Sequence, residues 1–185
     1  MVVLGISGSL RRESHNTKLL RAAEELLPGG SDLFIFDELE AVPPYNEDRD
    51  TTETPAAAGR LRDAIAEADA VLFATPEYNG SVPGQLKNAV DWASRPHRTS
   101  ALWGKPVAVI GASSGMYGAL WAQADLRKAL GVAGARVTEA EVAVGRAGER
   151  FDDAGRLVDD DLRAELRNAL ETLVAEVAPL QLVAA

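Results

Sequence analysis

The sequence predicts an α/β fold in which a parallel sheet is covered by helices on both faces, and three observations carry that expectation. Short apolar runs rich in Val, Ile and Leu alternate with amphipathic stretches along the chain. The runs are continuously apolar rather than apolar on every second residue, as strands buried on both faces must be. Turns of small and polar residues fall between the end of a run and the start of the next helical stretch, as in Ser7-Gly8-Ser9, Asn79-Gly80-Ser81 and Ser113-Ser114-Gly115.

The elements follow in order. Val2 to Ile6 is β-branched and short, and Ser7, Gly8 and Ser9 stop it, so it reads as a strand. Leu19, Leu20, Ala23, Leu26 and Leu27 then share one helical face; Ser14 or Asn16 can cap its start, and Pro28-Gly29-Gly30 ends it. Leu33 to Phe36 is a second strand, Pro55 to Glu67 a helix, Ala70 to Thr75 a third strand, and Val82 to Ser94 a helix opened by Pro83. Val107 to Gly111 is the fourth strand, Leu120 to Leu130 its helix, Arg136 to Val142 the fifth strand, and Leu162 to Val177 the last helix. Five strands with a polar turn after the first suit the flavodoxin-like three-layer sandwich, a five-stranded parallel sheet in the order 2-1-3-4-5. Such sheets take ligands at the carboxyl ends of the strands, where the winding reverses. Asp37 to Thr54, with Pro43, Pro44 and Tyr45, reads as a long loop, either functional or a surface excursion.

The chain of 185 residues, 46% hydrophobic and 25% charged, suits one domain over residues 1–185 with a core of its own. With no cysteine it can build no disulfide, thiolate nucleophile, thiolate-ligated zinc or iron–sulfur cluster. A net charge of -9 argues against a nucleic-acid partner, whose phosphates need Lys and Arg. An anionic ligand therefore needs a local cationic site, which distant carboxylates leave intact because charges are screened over about 8 Å at physiological salt. No apolar run approaches the roughly 20 residues of a membrane span, and Met1-Val2-Val3-Leu4 carries no basic leader, so the expectation is a soluble cytoplasmic protein.

Three turns carry the candidate chemistry. Gly8 to Asn16 lies between the first strand and the first helix, where unsatisfied helix N–H groups and the positive end of the dipole favour an anion. Ser9, Ser14 and Asn16 add neutral donors and Arg11 adds charge, a set suited to a monophosphate. The turn lacks the third glycine of a dinucleotide fingerprint and the Gly-Lys-Ser/Thr of a P-loop, and its alternative reading is a polar turn with an N-cap. Thr75 to Gly84 follows the third strand; Tyr78 brings a ring, Gly80 close backbone approach and Asn79 a donor and an acceptor, which fits the edge of a flavin. Gly111 to Gly118 follows the fourth strand and offers small residues with free N–H groups, or only a tight turn. The convergence of all three at one sheet edge is the argument for a site.

Gly-Ser-Leu-Arg followed by Ser14 and Asn16, and Pro-Glu-Tyr-Asn-Gly-Ser-Val-Pro-Gly followed by Leu86-Lys87-Asn88-Ala89-Val90-Asp91-Trp92, strongly resemble the NADPH-dependent FMN reductase family over about residues 2–140. The resemblance implies that Ser9, Arg11, Ser14, Asn16 and Thr17 hold the FMN phosphate. It implies further that Pro76, Glu77, Tyr78, Asn79 and Gly80, with Ser113, Ser114, Gly115 and Gly118, surround the isoalloxazine and ribityl parts. The partners it implies are NADPH or NADH and a small electron acceptor such as a quinone, azo compound, free flavin or metal oxyanion, with the chain a homodimer or homotetramer. Leu86, Val90 and Trp92 are then either interface or core residues.

No metal site is expected: His15 and His97 lack companions, and the acidic stretch from Asp152 to Asp161 lacks the EF-hand pattern. His15 reads as an exposed loop residue that could touch phosphate, and Asp159 to Asp161 as residues favouring the start of the last helix. Ser113 and Ser114 lack the context of a hydrolase nucleophile, so no catalytic side chain is expected; a flavin would carry the chemistry. The competing reading is a flavodoxin-type electron carrier without NAD(P)H activity of its own.

Overall fold

The computed structural model describes residues 1–51 and 53–183. The single-domain expectation for 1–185 and the loop ending at Thr54 therefore each include positions outside the described residues. Eleven elements follow in chain order: β1 (Val2–Ser7), α1 (His15–Leu26), β2 (Asp32–Phe36), α2 (Ala56–Glu67), β3 (Ala70–Thr75), α3 (Gly84–Ala93), β4 (Pro106–Ala112), α4 (Leu120–Val132), β5 (Arg136–Val137), β6 (Ala143–Val144) and α5 (Asp160–Val183). All strand pairs are parallel, the order is β2-β1-β3-β4-β5, and β6 also pairs with β4.

Alternate side chains of each central strand enter opposite cores, as strand geometry requires. Val3, Leu72 and Ile110 join Leu19, Leu20, Leu166 and Leu170 of α1 and α5. Ile6, Phe73 and Val109 join Leu61, Leu86, Trp92 and Leu126 of α2, α3 and α4. Because both faces are buried, the strands carry no polar alternation, which is why their sequence signal is a continuous apolar run. Among the described residues no helix is long and apolar enough to cross a membrane.

The fifth strand departs from the sequence expectation. The span Arg136 to Val142 pairs at its start, where Thr138 N–H donates to Val107 O at 2.8 Å, and again past its end, where Gly111 N–H donates to Val142 O at 2.9 Å. Between these points Arg127 of α4 inserts its guanidinium, Nη2 donating to Val109 O and Ala140 O at 3.0 Å each. Those carbonyls are satisfied by a side chain, so the edge strand splits into β5 and β6.

In its described residues, the stretch after β2 does not line the candidate site. It folds into two short 3-10 turns, Leu39–Ala41 and Glu47–Arg49, strapped over α2 and α3, with Leu39 and Val42 buried. Gln85 Nε2 donates to Leu39 O and Val42 O, Asn88 Nδ2 and Trp92 Nε1 both donate to Pro43 O, and Arg62 pairs bidentately with Asp50. Leu86, Val90 and Trp92 are correspondingly 0%, 3% and 0% exposed. They are core residues of this chain, which removes the reading of them as interface.

Candidate active site

The three turns meet at the carboxyl ends of β1, β3 and β4. Ser9, Arg11, Ser14, His15 and Asn16 from the first, Pro76, Glu77 and Tyr78 from the second, and Ala112, Ser113 and Ser114 from the third line one cavity of about 90 Å³. That volume suits a phosphate headgroup and not a tricyclic ring. A larger cavity, about 770 Å³, lies between α3 and α4. Size alone would favour it, but only Ser81 and Val82 of its walls belong to the three turns, and it has no part in their convergence.

The first turn is built by its own side chains. Ser14 caps α1, its Oγ accepting from Thr17 N–H at 3.2 Å while its carbonyl accepts from Lys18 N–H at 3.0 Å. This leaves the amides of His15 and Asn16, in the cavity wall, as the free donors of the first helical turn. Thr17 Oγ1 donates to Ser7 Oγ at 3.0 Å, so its hydroxyl is spent behind the wall. Ser9 Oγ accepts from Arg11 N–H at 3.4 Å, and the Arg11 side chain is exposed at the mouth.

Asn16 is 2% exposed and does something the sequence reading missed. Its Nδ2 donates to Ala112 O and its Oδ1 accepts from Ala112 N–H, both at 2.9 Å. The amides of Gly111 and Ser113 donate to Val142 and Val144 on one side of β4, so that of Ala112 points to the other, where β3 has ended at Thr75. The Asn16 amide replaces the missing strand and ties the first turn to the third.

His15 is not an exposed loop residue. It opens α1 half-buried and stacks on Phe151 with ring centroids 5.9 Å apart, and its Nδ1 is buried with no partner in the chain. Burial, then the positive charges of Lys18 and Arg11, pull its imidazole below its ordinary pKa. The free helix amides of His15 and Asn16 and Arg11 at the mouth are a donor set that fits a phosphate group.

The second turn closes on itself: Tyr78 and Ser81 exchange both backbone hydrogen bonds at 3.2 Å around Asn79 at φ 54° and Gly80 at φ 71°. Both central residues are left-handed, the type I′ arrangement that an Asn-Gly pair favours. Asn79 and Gly80 form the exposed tip, outside the cavity wall. Glu77 Oε2 accepts from Trp121 N–H at 3.0 Å and Ala122 N–H at 3.1 Å, at the start of α4.

The third turn is braced from behind by residues 143–147. Ser113 N–H donates to Val144 O, Arg146 N–H to Gly115 O and Ala147 N–H to Ser113 O, at 2.8 to 3.0 Å. A Cβ on Gly118 would lie 2.3 Å from Ala143 C, so glycine is required there twice over, by contact and by its φ of 57°. Gly118 is buried beneath this brace while Gly115 and Ser114 are exposed. Buried Gln123 Nε2 donates to Gly118 O at 3.0 Å.

Around the cavity the turns expose apolar surface: Leu10, Tyr78, Met116, Tyr117 and Trp121 are 50 to 63% exposed. Tyr117 and Trp121 meet edge to face at 5.0 Å. Such rims suit a flat aromatic ligand. Leu10 lay inside the Gly-Ser-Leu-Arg motif without a role of its own, and Trp121 carried no motif; a Trp beside a glycine-rich turn was its available signal.

The chain matches the family model described as NADPH-dependent FMN reductase over residues 1–149. It is 45% identical over 172 residues to an NAD(P)H-dependent FMN reductase of Pseudomonas aeruginosa, covering 92% of each chain. It is 44% identical over 155 residues to a quinone reductase of Pseudomonas putida, covering 83% of each. Among solved structures it is similar to FerB, a flavoenzyme NAD(P)H:(acceptor) oxidoreductase of Paracoccus denitrificans, with a TM-score of 0.86 and 35% identity over 96% of this chain and 97% of that one.

Proposed function

The chain belongs to the NADPH-dependent FMN reductase family, and from that premise we propose that it passes electrons from NADPH or NADH through bound FMN to a small acceptor such as a quinone. Azo compounds, free flavin and metal oxyanions are acceptors of the same kind. When bound, FMN supplies the chemistry, taking a hydride from the nicotinamide and passing it to the acceptor. The carrier reading is disfavoured because relatives over most of the chain are named as an NAD(P)H-dependent FMN reductase and a quinone reductase.

The observation that carries the assignment of the site is the convergence of three turns on one cavity beside the free amides of His15 and Asn16. Ser9, Arg11 and Ser14, with the amides of His15 and Asn16, receive the phosphate, while Thr17 and the Asn16 side chain hold the turn in shape. Pro76 to Gly80 and Ser113 to Gly115 flank the ring, with Gly118 buried behind them holding the third turn in shape. The chain's part is to bind and orient, so no side chain is assigned as acid or base.

The chain works as one domain and as a homodimer or homotetramer. The groove between α3 and α4 supports assembly: Val82, Ala129 and Val132 line it, Val132 is 75% exposed, and Lys87 and Asp125 on its borders give it both charge signs. Drawing on a nicotinamide pool, it works in the cytoplasm. Anaerobic addition of NADPH or NADH to the FMN-loaded protein should bleach the flavin absorbance, and a quinone should restore it. Protein that takes up FMN and stays yellow with both nicotinamides is a carrier, and the proposal fails.

A further inference from the structure

We propose that Glu77 is a positioning residue of the flavin site, acting through helix α4, and that its carboxylate holds the bound flavin at a lower reduction potential than an uncharged side chain would. The proposal rests on the reading that FMN lies across the three turns.

Helix α4 begins without a cap of its own. Its N-cap residue, Ala119, is left-handed at φ 63° and has no side chain able to accept a hydrogen bond. Leu120 N–H goes to Tyr117 O at 3.1 Å and Gln123 N–H to Ala119 O at 2.9 Å. The two donors between them, Trp121 and Ala122, depend on the single oxygen Oε2 of Glu77, 44 and 45 residues earlier in the chain. Every donor of the first turn is thus accounted for, two of them by a residue of the second site turn.

A second tie lies one helical turn further along. Ser81 Oγ donates to Asp125 Oδ2 at 2.7 Å, and Asp125 follows Trp121 by four residues, on the same side of the helix. The Tyr78-to-Ser81 turn is therefore fastened to α4 before and after its tip. Gln123 fastens the third turn to the same helix through Gly118 O. The separation of the second and third turns, between which a flat ring would sit, is fixed by α4, and Glu77 sets where α4 starts.

The electrostatic consequence follows from the same contact. A helix N-terminus carries about half a positive charge, and the start of α4 lies beside the cavity wall that Glu77 lines. Left bare, it would favour the electron-rich reduced flavin. The carboxylate cancels it and adds net negative charge. Among the described residues no Lys, Arg or His forms an ion pair with Glu77. Electron uptake beside it is disfavoured and the potential lowered.

Wild type, Glu77→Gln and Glu77→Ala separate the two halves of the proposal. In flavin-free protein, amide exchange at Trp121 and Ala122 should quicken in Glu77→Ala, and FMN should bind it about tenfold or more weakly. Glu77→Gln keeps an acceptor for the helix, so FMN affinity should stay within about threefold while the midpoint potential of the bound flavin, read against reference dyes, moves positive. Wild-type exchange and affinity in Glu77→Ala overturn the positioning role, and a wild-type potential in Glu77→Gln overturns the electrostatic one. Should Glu77→Ala fail to fold, Glu77→Asp keeps the charge but draws the acceptor back by one methylene, so faster exchange at Trp121 and Ala122 supports the clamp and wild-type exchange overturns it. Wild-type protein that takes up no FMN overturns the site reading instead, and the exchange comparison still decides the clamp.

Discussion

Replacing Asn16 by Ala removes one side chain but strands two backbone groups. Ala112 N–H and Ala112 O lie at a residue 2% exposed, and both bond only to the Asn16 amide on that side of β4. A buried polar group left without a partner costs about 1 to 3 kcal/mol, so the pair costs about 2 to 6 kcal/mol. For a chain of this size each kcal/mol is worth about 2 to 4 °C in melting temperature, giving a fall of roughly 4 to 24 °C. Asn16→Asp is the sharper test, because it preserves shape and the acceptor for Ala112 N–H but turns a carboxylate oxygen onto Ala112 O. It should melt at least as early at neutral pH. Thermal melts by circular dichroism on flavin-free protein measure the cost, and FMN titration of the same samples reads whether the first and third turns still meet. Melting within about 2 °C of wild type, with unchanged FMN affinity, would refute the idea that this amide ties the two turns together.

Arg11→Ala should weaken FMN binding by roughly tenfold or more, the loss of a charge-assisted contact of about 1.5 to 3 kcal/mol, with little change in the melt of the flavin-free protein; flavin fluorescence quenching measures it. Gly118→Ala forces a left-handed φ of 57° on a residue whose Cβ would meet Ala143 at 2.3 Å. The backbone term alone costs about 1 to 3 kcal/mol, so both the melt and FMN uptake should suffer, and a melt equal to wild type counts against the bracing of the third turn. His15 has a folded pKa below its ordinary 6.5, so the unfolded chain holds the proton more tightly. Its contribution to stability is complete above that value and is lost as the pH falls through it. The flavin-free protein should therefore lose melting temperature as the pH falls below about 6.5, with His15→Phe flattening that part of the profile; identical profiles would dismiss the assignment.

The layers of the fold were legible because they rest on local signals. Apolar runs such as Ala70 to Thr75 and helical faces such as Leu19-Leu20-Ala23 are buried as their patterns require, and Asp159 caps the last helix through Leu162 N–H at 3.1 Å. What escaped were contacts between residues far apart in the chain. Nothing local to Arg136-to-Val142 reveals that Arg127 will take the carbonyls that would have continued the strand. The Pro-rich strap looks like a free loop until Gln85, Asn88 and Trp92 of α3 are seen to bond its carbonyls. That also explains the Leu86-to-Trp92 motif in terms of folding.

The site was legible as three turns and illegible as a network. Residue chemistry brought Ser9, Arg11 and Ser14 to one wall, and the structure lines one cavity with them. The same chemistry makes Asn16 and Glu77 look like ligand contacts, since an amide and a carboxylate beside a polar turn are equally able to face a ligand or the backbone. In the folded chain both face the backbone, Asn16 at the end of β4 and Glu77 at the start of α4. His15 was underrated because its burial depends on Phe151, 136 residues later.

The claim on which the account turns is that the first turn receives a phosphate. Comparing the affinity of the flavin-free protein for FMN and for riboflavin, which differ only in that group, measures it directly. FMN should bind about a hundredfold or more tightly, equivalent to about 2.8 kcal/mol, and Arg11→Ala should narrow the ratio. Equal affinities for the two flavins would contradict the account.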